Sequence, residues 1–210
     1  MPLPEKMKDA CAVGDGPFVW EEKPASEASF QKWLGVENKN GKIYAVINDG
    51  VYAGKVEGGY LYLTLLRGAG YCFHPIPGRE LYPQDRYLSR IDCGRYTYNL
   101  RLFFGNIEDV SKEAELFNQL PYAVNVFPTG KQVLREPDRI NVEGDVITSA
   151  IKLREDGGYA MRLYNPSTSE KEFVVNIGAD SQSVTASPAE VVSLTYKSGE
   201  FTVYHNEMPI

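Results

Sequence analysis

Along this chain, apolar and polar positions alternate in short runs separated by turn residues. Residues 42–48, 60–66, 96–104, 123–127, 147–153, 159–164, 172–177, 191–196 and 200–204 are rich in β-branched and aromatic side chains and too short for buried helices. Asp49-Gly50, Gly58-Gly59, Asp156-Gly157-Gly158 and Ser198-Gly199 fall between them, where tight hairpins need positive φ. The pattern predicts an all-β protein of the sandwich type. Helical spacing is confined to residues 107–118, where Asp109 or Ser111 is expected to cap a short helix before Pro121.

The rhythm also suggests an organisation. Residues 1–29 mix Gly, Pro, Ser and charge without period, and are expected to form a mobile arm or an edge segment. Residues 30–140 form a β-sandwich domain on this reading. The polar, proline-containing stretch KQVLREPDRINVEG then breaks the strand rhythm, and residues 141–210 follow as a small C-terminal β-sandwich. A unit of that size is stable only if it docks on its neighbour.

Composition narrows the function classes. A net charge of −6 offers no basic face for phosphates, so no nucleic-acid partner is expected. No run of 18 apolar residues occurs and the start lacks the apolar stretch of a signal peptide, so no membrane partner and a cytoplasmic location are expected. Cys11, Cys72 and Cys93 are odd in number and lack C-x-x-C spacing, which reads as reduced, buried thiols rather than a disulfide frame or a metal knuckle. Pro166 removes Asn165 as a glycosylation acceptor.

Catalytic equipment is sparse. The two histidines, His74 and His205, lie in different units, which argues against a His-rich metal centre, and no G-x-S-x-G stretch is present. Gly68-Ala69-Gly70 lacks the third glycine and the Lys-Ser/Thr pair of a phosphate loop. Asp49, Asp92, Glu155 and Asp156 are available carboxylates, but Asp49, Glu155 and Asp156 suit turns. Asp92 opens an apolar strand, where a charge needs a partner, and Arg67 at the end of LTLLR is the candidate for a structural ion pair.

Taken in order, these stretches resemble the C-terminal β-domains of glycoside hydrolase family 38, the α-mannosidases. The resemblance is carried by FQKWLGVENKNGKIYAVINDGVYAGKVEGGYLYLTLLRGAGY, by Asp92-x-Gly94-x-Tyr96-x-Tyr98-x-Leu100, by EAELFNQLP, and by IKLREDGGYAMRLYNPSTSEKEFVV with SPAEVVSLTY. It covers about residues 30–198. Arg95 stands where the family usually has histidine, and Phe104-Gly105 where Pro-His commonly follows.

The resemblance implies the latter part of a large family-38-type sandwich followed by a small terminal one, without catalytic residues of its own. It further implies that the intact enzyme is a retaining α-mannosidase with two catalytic aspartates and zinc or another divalent metal, all in a barrel absent from this chain. That barrel and a mannose-containing glycan are the implied partners, and Asn48, Asp49 and Tyr52 are the residues best placed by motif to reach the glycan cleft. Two other readings stand beside it. A freestanding carbohydrate-binding module predicts exposed coplanar rings at Trp20, Trp33 or Tyr60, and a mutarotase-like enzyme would need His74 and a carboxylate on one concave face.

Overall fold

The structure, a computed structural model, describes residues 1–7, 10–17, 19–24, 26–68, 93–125 and 139–206. Half of it is β-strand, 50%, in antiparallel sheets with one α-helix, which is the all-β, sandwich-type fold the pattern predicts. The strands of the first part are β1 (Cys11–Asp15), β2 (Trp20–Glu22), β3 (Ala28–Ser29), β4 (Trp33–Glu37), β5 (Ile43–Asn48), β6 (Ala53–Glu57), β7 (Tyr60–Leu63) and β8 (Leu100–Gly105). Helix α1 (Ile107–Asn118) follows. The second part holds β9 (Ile140–Gly144), β10 (Ile147–Leu153), β11 (Tyr159–Tyr164), β12 (Lys171–Ile177), β13 (Asp180–Ala186), β14 (Val191–Lys197) and β15 (Glu200–His205).

The first part has three layers. A five-stranded sheet in the order β2-β1-β4-β5-β8 lies between a three-stranded sheet, β3-β6-β7, and the helix. Because strand side chains alternate, β5 serves both interfaces. Ile43, Ala45 and Ile47 pack with Ile107, Val110 and Ala114 of α1, while Val46 joins Phe30, Leu34, Val51 and Leu61 between the sheets. Burial on both faces makes β5 a continuous apolar run.

The N-terminal segment does more than form an arm. β1 pairs with β2 on one side and β4 on the other, and β2 is the sheet edge. Leu3 and Met7 are buried between the sheets, and Pro2 bridges to Tyr60. Cys11 and Cys93 are free and exposed rather than buried, and Cys72 lies outside the described residues.

The helix has the expected bounds but a different cap. Asn106, in extended conformation, is the N-cap, and its side-chain amide donates to Asp109 at 2.9 Å. Ser111, buried one turn in, bonds back to the Ile107 carbonyl at 3.3 Å.

In the second part a four-stranded sheet, β10-β11-β14-β15, packs on a three-stranded one, β13-β12-β9, through Met161, Leu163, Phe173, Val175, Val192 and Leu194. β9 begins at Ile140 inside the stretch that reads as a boundary, and pairs with β12. β13 (DSQSVTA) escapes sequence reading because it is a polar edge strand, made regular by its ladder with β12.

The two parts meet along α1 and the start of β10. Lys112 pairs with Asp145, and Lys171 reaches Asp145 at 3.3 Å and Glu108 at 3.6 Å.

Candidate functional site

Two of the chain's crossings between the sheets of the first part are arches. Residues 30–32 carry it from β3 to β4, and residues 49–52 carry it back from β5 to β6. Asp49-Gly50 is therefore not a hairpin turn, and Gly50 is not among the glycines with positive φ. The reason is pairing: β5 hydrogen-bonds to β4 and β8, whereas β6 pairs with β3 and β7.

Each arch is held by one polar side chain. Asp15, at the end of β1, accepts the backbone N–H groups of Gln31 at 2.8 Å, Lys32 at 2.9 Å and Trp33 at 3.2 Å. Burial pushes its carboxyl above the ordinary aspartate value even though those donors and the Lys32 charge favour the anion. Asn48, fully buried, accepts from Gly50 at 2.9 Å and Val51 at 2.6 Å and donates to the Gln31 carbonyl at 3.2 Å. Asn118 at the end of α1 donates to the Asn48 carbonyl at 3.0 Å.

Beside Asp15 lies a cavity of about 80 Å3 at the junction of the two parts, lined by Trp20, Lys32, Ser111, Glu115, Ser149 and Tyr164 among others. The Lys32 ammonium pairs with the Glu115 carboxylate. The Tyr164 hydroxyl accepts the Trp20 backbone N–H at 3.3 Å, and burial pushes the phenol up to about 12. The Trp20 indole N–H donates to the Pro166 carbonyl at 3.0 Å. The space suits a few waters rather than a sugar ring. With its carboxylate engaged by three N–H groups and Lys32 by Glu115, the arrangement makes a polar joint between the parts.

The residues singled out by motif do not line this cavity. Asn48 sits behind it, bonded to Gln31. Asp49 is exposed at the next position, where its carboxylate accepts the Asn99 side-chain amide at 2.5 Å and the Asn99 backbone N–H at 3.0 Å. The side-chain bond from Asn99, and then the backbone one, hold its carboxyl below the ordinary value. Tyr52, 63% exposed, ends the same arch, its carbonyl accepting the Phe30 N–H. Arg67 is exposed beyond β7, and Asp92, and with it the expected ion pair, lies outside the described residues.

The rings named for a carbohydrate-binding module fare unequally. Trp33 is buried in the helix-side core and Trp20 is half-buried with its indole N–H engaged, so neither offers an open face. Tyr60 is exposed on β7. His74 lies outside the described residues, and His205 bonds Glu190 at 3.1 Å rather than standing free. Among the described residues no three His, Cys, Asp or Glu side chains are grouped to hold a metal, so the zinc implied for an intact enzyme has no donor set there.

Asp15, Lys32, Glu115 and Tyr164 escape sequence reading, because they come from four distant segments that only the fold unites. The one local hint is Asp15 at the end of a short apolar run. No family model matches the chain, and no curated protein matches it.

Proposed function

We propose that this chain is a non-catalytic C-terminal β-domain portion of a family-38-type α-mannosidase, supporting the catalytic barrel and lending an arch to the mannoside-binding cleft. The order of the family-like stretches supports it, and one structural observation carries it. On the edge strand β8, Leu102 and Phe104 pair with Val46 and Tyr44 and so belong to the face that elsewhere packs between the sheets, yet they are 60% and 65% exposed. Leu100 continues the row. A contiguous apolar row on a core-facing surface marks a place for a neighbour. In this reading the neighbour is the barrel, which would bring the zinc and the two catalytic aspartates. Asn48, Asp49 and Tyr52 occupy the arch at the start of the same strand pair, where an exposed carboxylate and phenol can meet a sugar hydroxyl.

The test is to co-express the chain with a family-38 catalytic barrel and follow an activated aryl α-mannoside. The expected result is a stable pair with zinc-dependent hydrolysis, no turnover by this chain alone, and loss of association in Leu102→Asp/Phe104→Asp. Turnover by the purified chain alone, or failure of the two parts to associate, would overturn it.

A further inference from the structure

Tyr60 and Tyr62 stand two positions apart on β7, so strand geometry puts both rings on one face. Leu61 between them is buried in the inter-sheet core, which makes the tyrosine face the outer one. The rings are 47% and 44% exposed, with centroids 6.1 Å apart and planes inclined by 41°.

Across the ladder on β6, Lys55 pairs with Tyr62 and Glu57 with Tyr60. The Lys55 ammonium lies 5.4 Å from the Tyr62 ring centroid and 2.7 Å from Glu57 Oε2. One step along, the Thr64 hydroxyl donates to the Glu27 carboxylate. The platform is fixed from below as well: a Cβ at Gly54 would meet the Tyr62 carbonyl and, at 2.8 Å, Leu34 Cδ2, so glycine there lets β7 seat on the core.

We propose that this face binds a neutral oligosaccharide whose successive pyranose rings follow the 41° inclination of the tyrosines, instead of lying on one coplanar platform, with their C–H faces stacked on Tyr60 and Tyr62 and ring hydroxyls bonded to Lys55, Glu57, Thr64 and Glu27. The chemistry matches in two respects. A pyranose ring is apolar on its faces and polar at its rim, and tyrosines flanked by charged and hydroxyl groups offer the complementary surface. The charge balance decides against the other common aromatic-stacking ligand. One lysine faces two glutamates on a chain of net charge −6, whereas single-stranded nucleic acid needs a basic groove beside its stacking rings. The inference stands on these residues alone and does not require the family-38 reading.

The full chain, isotopically labelled, should be titrated with linear manno- and gluco-oligosaccharides of three to six units and followed by amide NMR. Saturable shifts confined to β6 and β7 are expected, with a dissociation constant near or below about 1 mM. Tyr60→Ala and Tyr62→Ala should each weaken binding by about tenfold or more, while Tyr60→Phe and Tyr62→Phe, which keep the ring, stay within about threefold. Thermal midpoints of all four variants should show the fold retained. The proposal is overturned if no sugar shifts these amides, if the alanine variants bind as wild type, or if a single-stranded oligonucleotide binds this face more tightly than any sugar.

Discussion

Asn48 donates to the carbonyl of Gln31 at 3.2 Å, and this contact ties together the two arches that cross between the sheets. The same side chain accepts from Gly50 and Val51, so three of its bonding positions are filled in a buried site. Asn48→Ala leaves those groups without partners, at about 1–3 kcal/mol for each buried one. Chemical denaturation should show a lower midpoint with an unchanged slope, and a shift within error would mean that the arches are held by packing alone.

Asp15 predicts a pH dependence of definite sign. Its carboxyl is raised in the folded state, chiefly by burial, so the folded chain binds more protons than the unfolded one just above pH 3.8. Stability from this group is therefore fully present below that value and declines as pH rises towards the raised folded value. Asp15→Asn keeps the Oδ1 that accepts all three N–H groups, gives up the second contact of the Lys32 N–H at Oδ2, and removes the titration. Thermal midpoints of wild type and Asp15→Asn should diverge in the variant's favour as pH rises through this window. Asp15→Ala, with no acceptor, should be less stable than either at every pH.

The Asp49–Asn99 contact predicts the opposite sign at a smaller scale. Asp49 is held below its ordinary value, mainly by the Asn99 side chain, so it contributes stability above pH 3.8 that is lost as pH falls through the depressed folded value. Exposure keeps the contribution below about 1 kcal/mol. In the assembled enzyme proposed above, Asp49→Asn should lower kcat/KM by roughly tenfold with folding intact, since a charged hydrogen bond is worth about 1.5–3 kcal/mol. Wild-type kinetics would leave Asp49 a purely architectural residue.

Trp20 links the parts through its indole N–H on Pro166. Trp20→Phe removes that bond, worth about 0.5–1.5 kcal/mol, and part of the packing of the joint. Calorimetry is expected to show one unfolding transition for the wild type and two for the variant, the first belonging to the small sandwich. One undivided transition in the variant would show that the Lys112–Asp145 and Lys171 contacts suffice to couple the parts.

How much was legible depended on where the physical signal resides. β10 and β11 match their predicted bounds because apolar spacing and flanking turns agree locally. β4, β6 and β13 fall outside the runs that the apolar pattern marks: β4 is apolar without alternation, β6 contains Gly and Lys, and β13 is polar, so each gets its regularity from a ladder partner. Reading Asp49-Gly50 as a hairpin failed because turn chemistry reports local backbone preference and is silent on which strands pair. Motif marks Asn48 for the glycan cleft but gives no hint of the bonds by which it ties the arches together. Apart from Asp15 at the end of a short apolar run, the Asp15 cluster has no sequence signature, since its members converge only through the fold.

The bond from Asn99 to Asp49 spans 50 positions in sequence and sits at the mouth of the β5–β8 ladder. Every residue pair in that ladder closes a loop of comparable or greater length, whereas the arches and the β6–β7 hairpin form between near neighbours. Loop-closure entropy must be met before such distant pairs are rewarded, and chains dominated by them fold slowly. On this ground β4 to β7 with their arches are expected to come together early and β8 to pair with β5 late. Until it does, Val46 and its neighbours on β5 would present an open strand edge, and that interval is the expected period of exposure to misassociation.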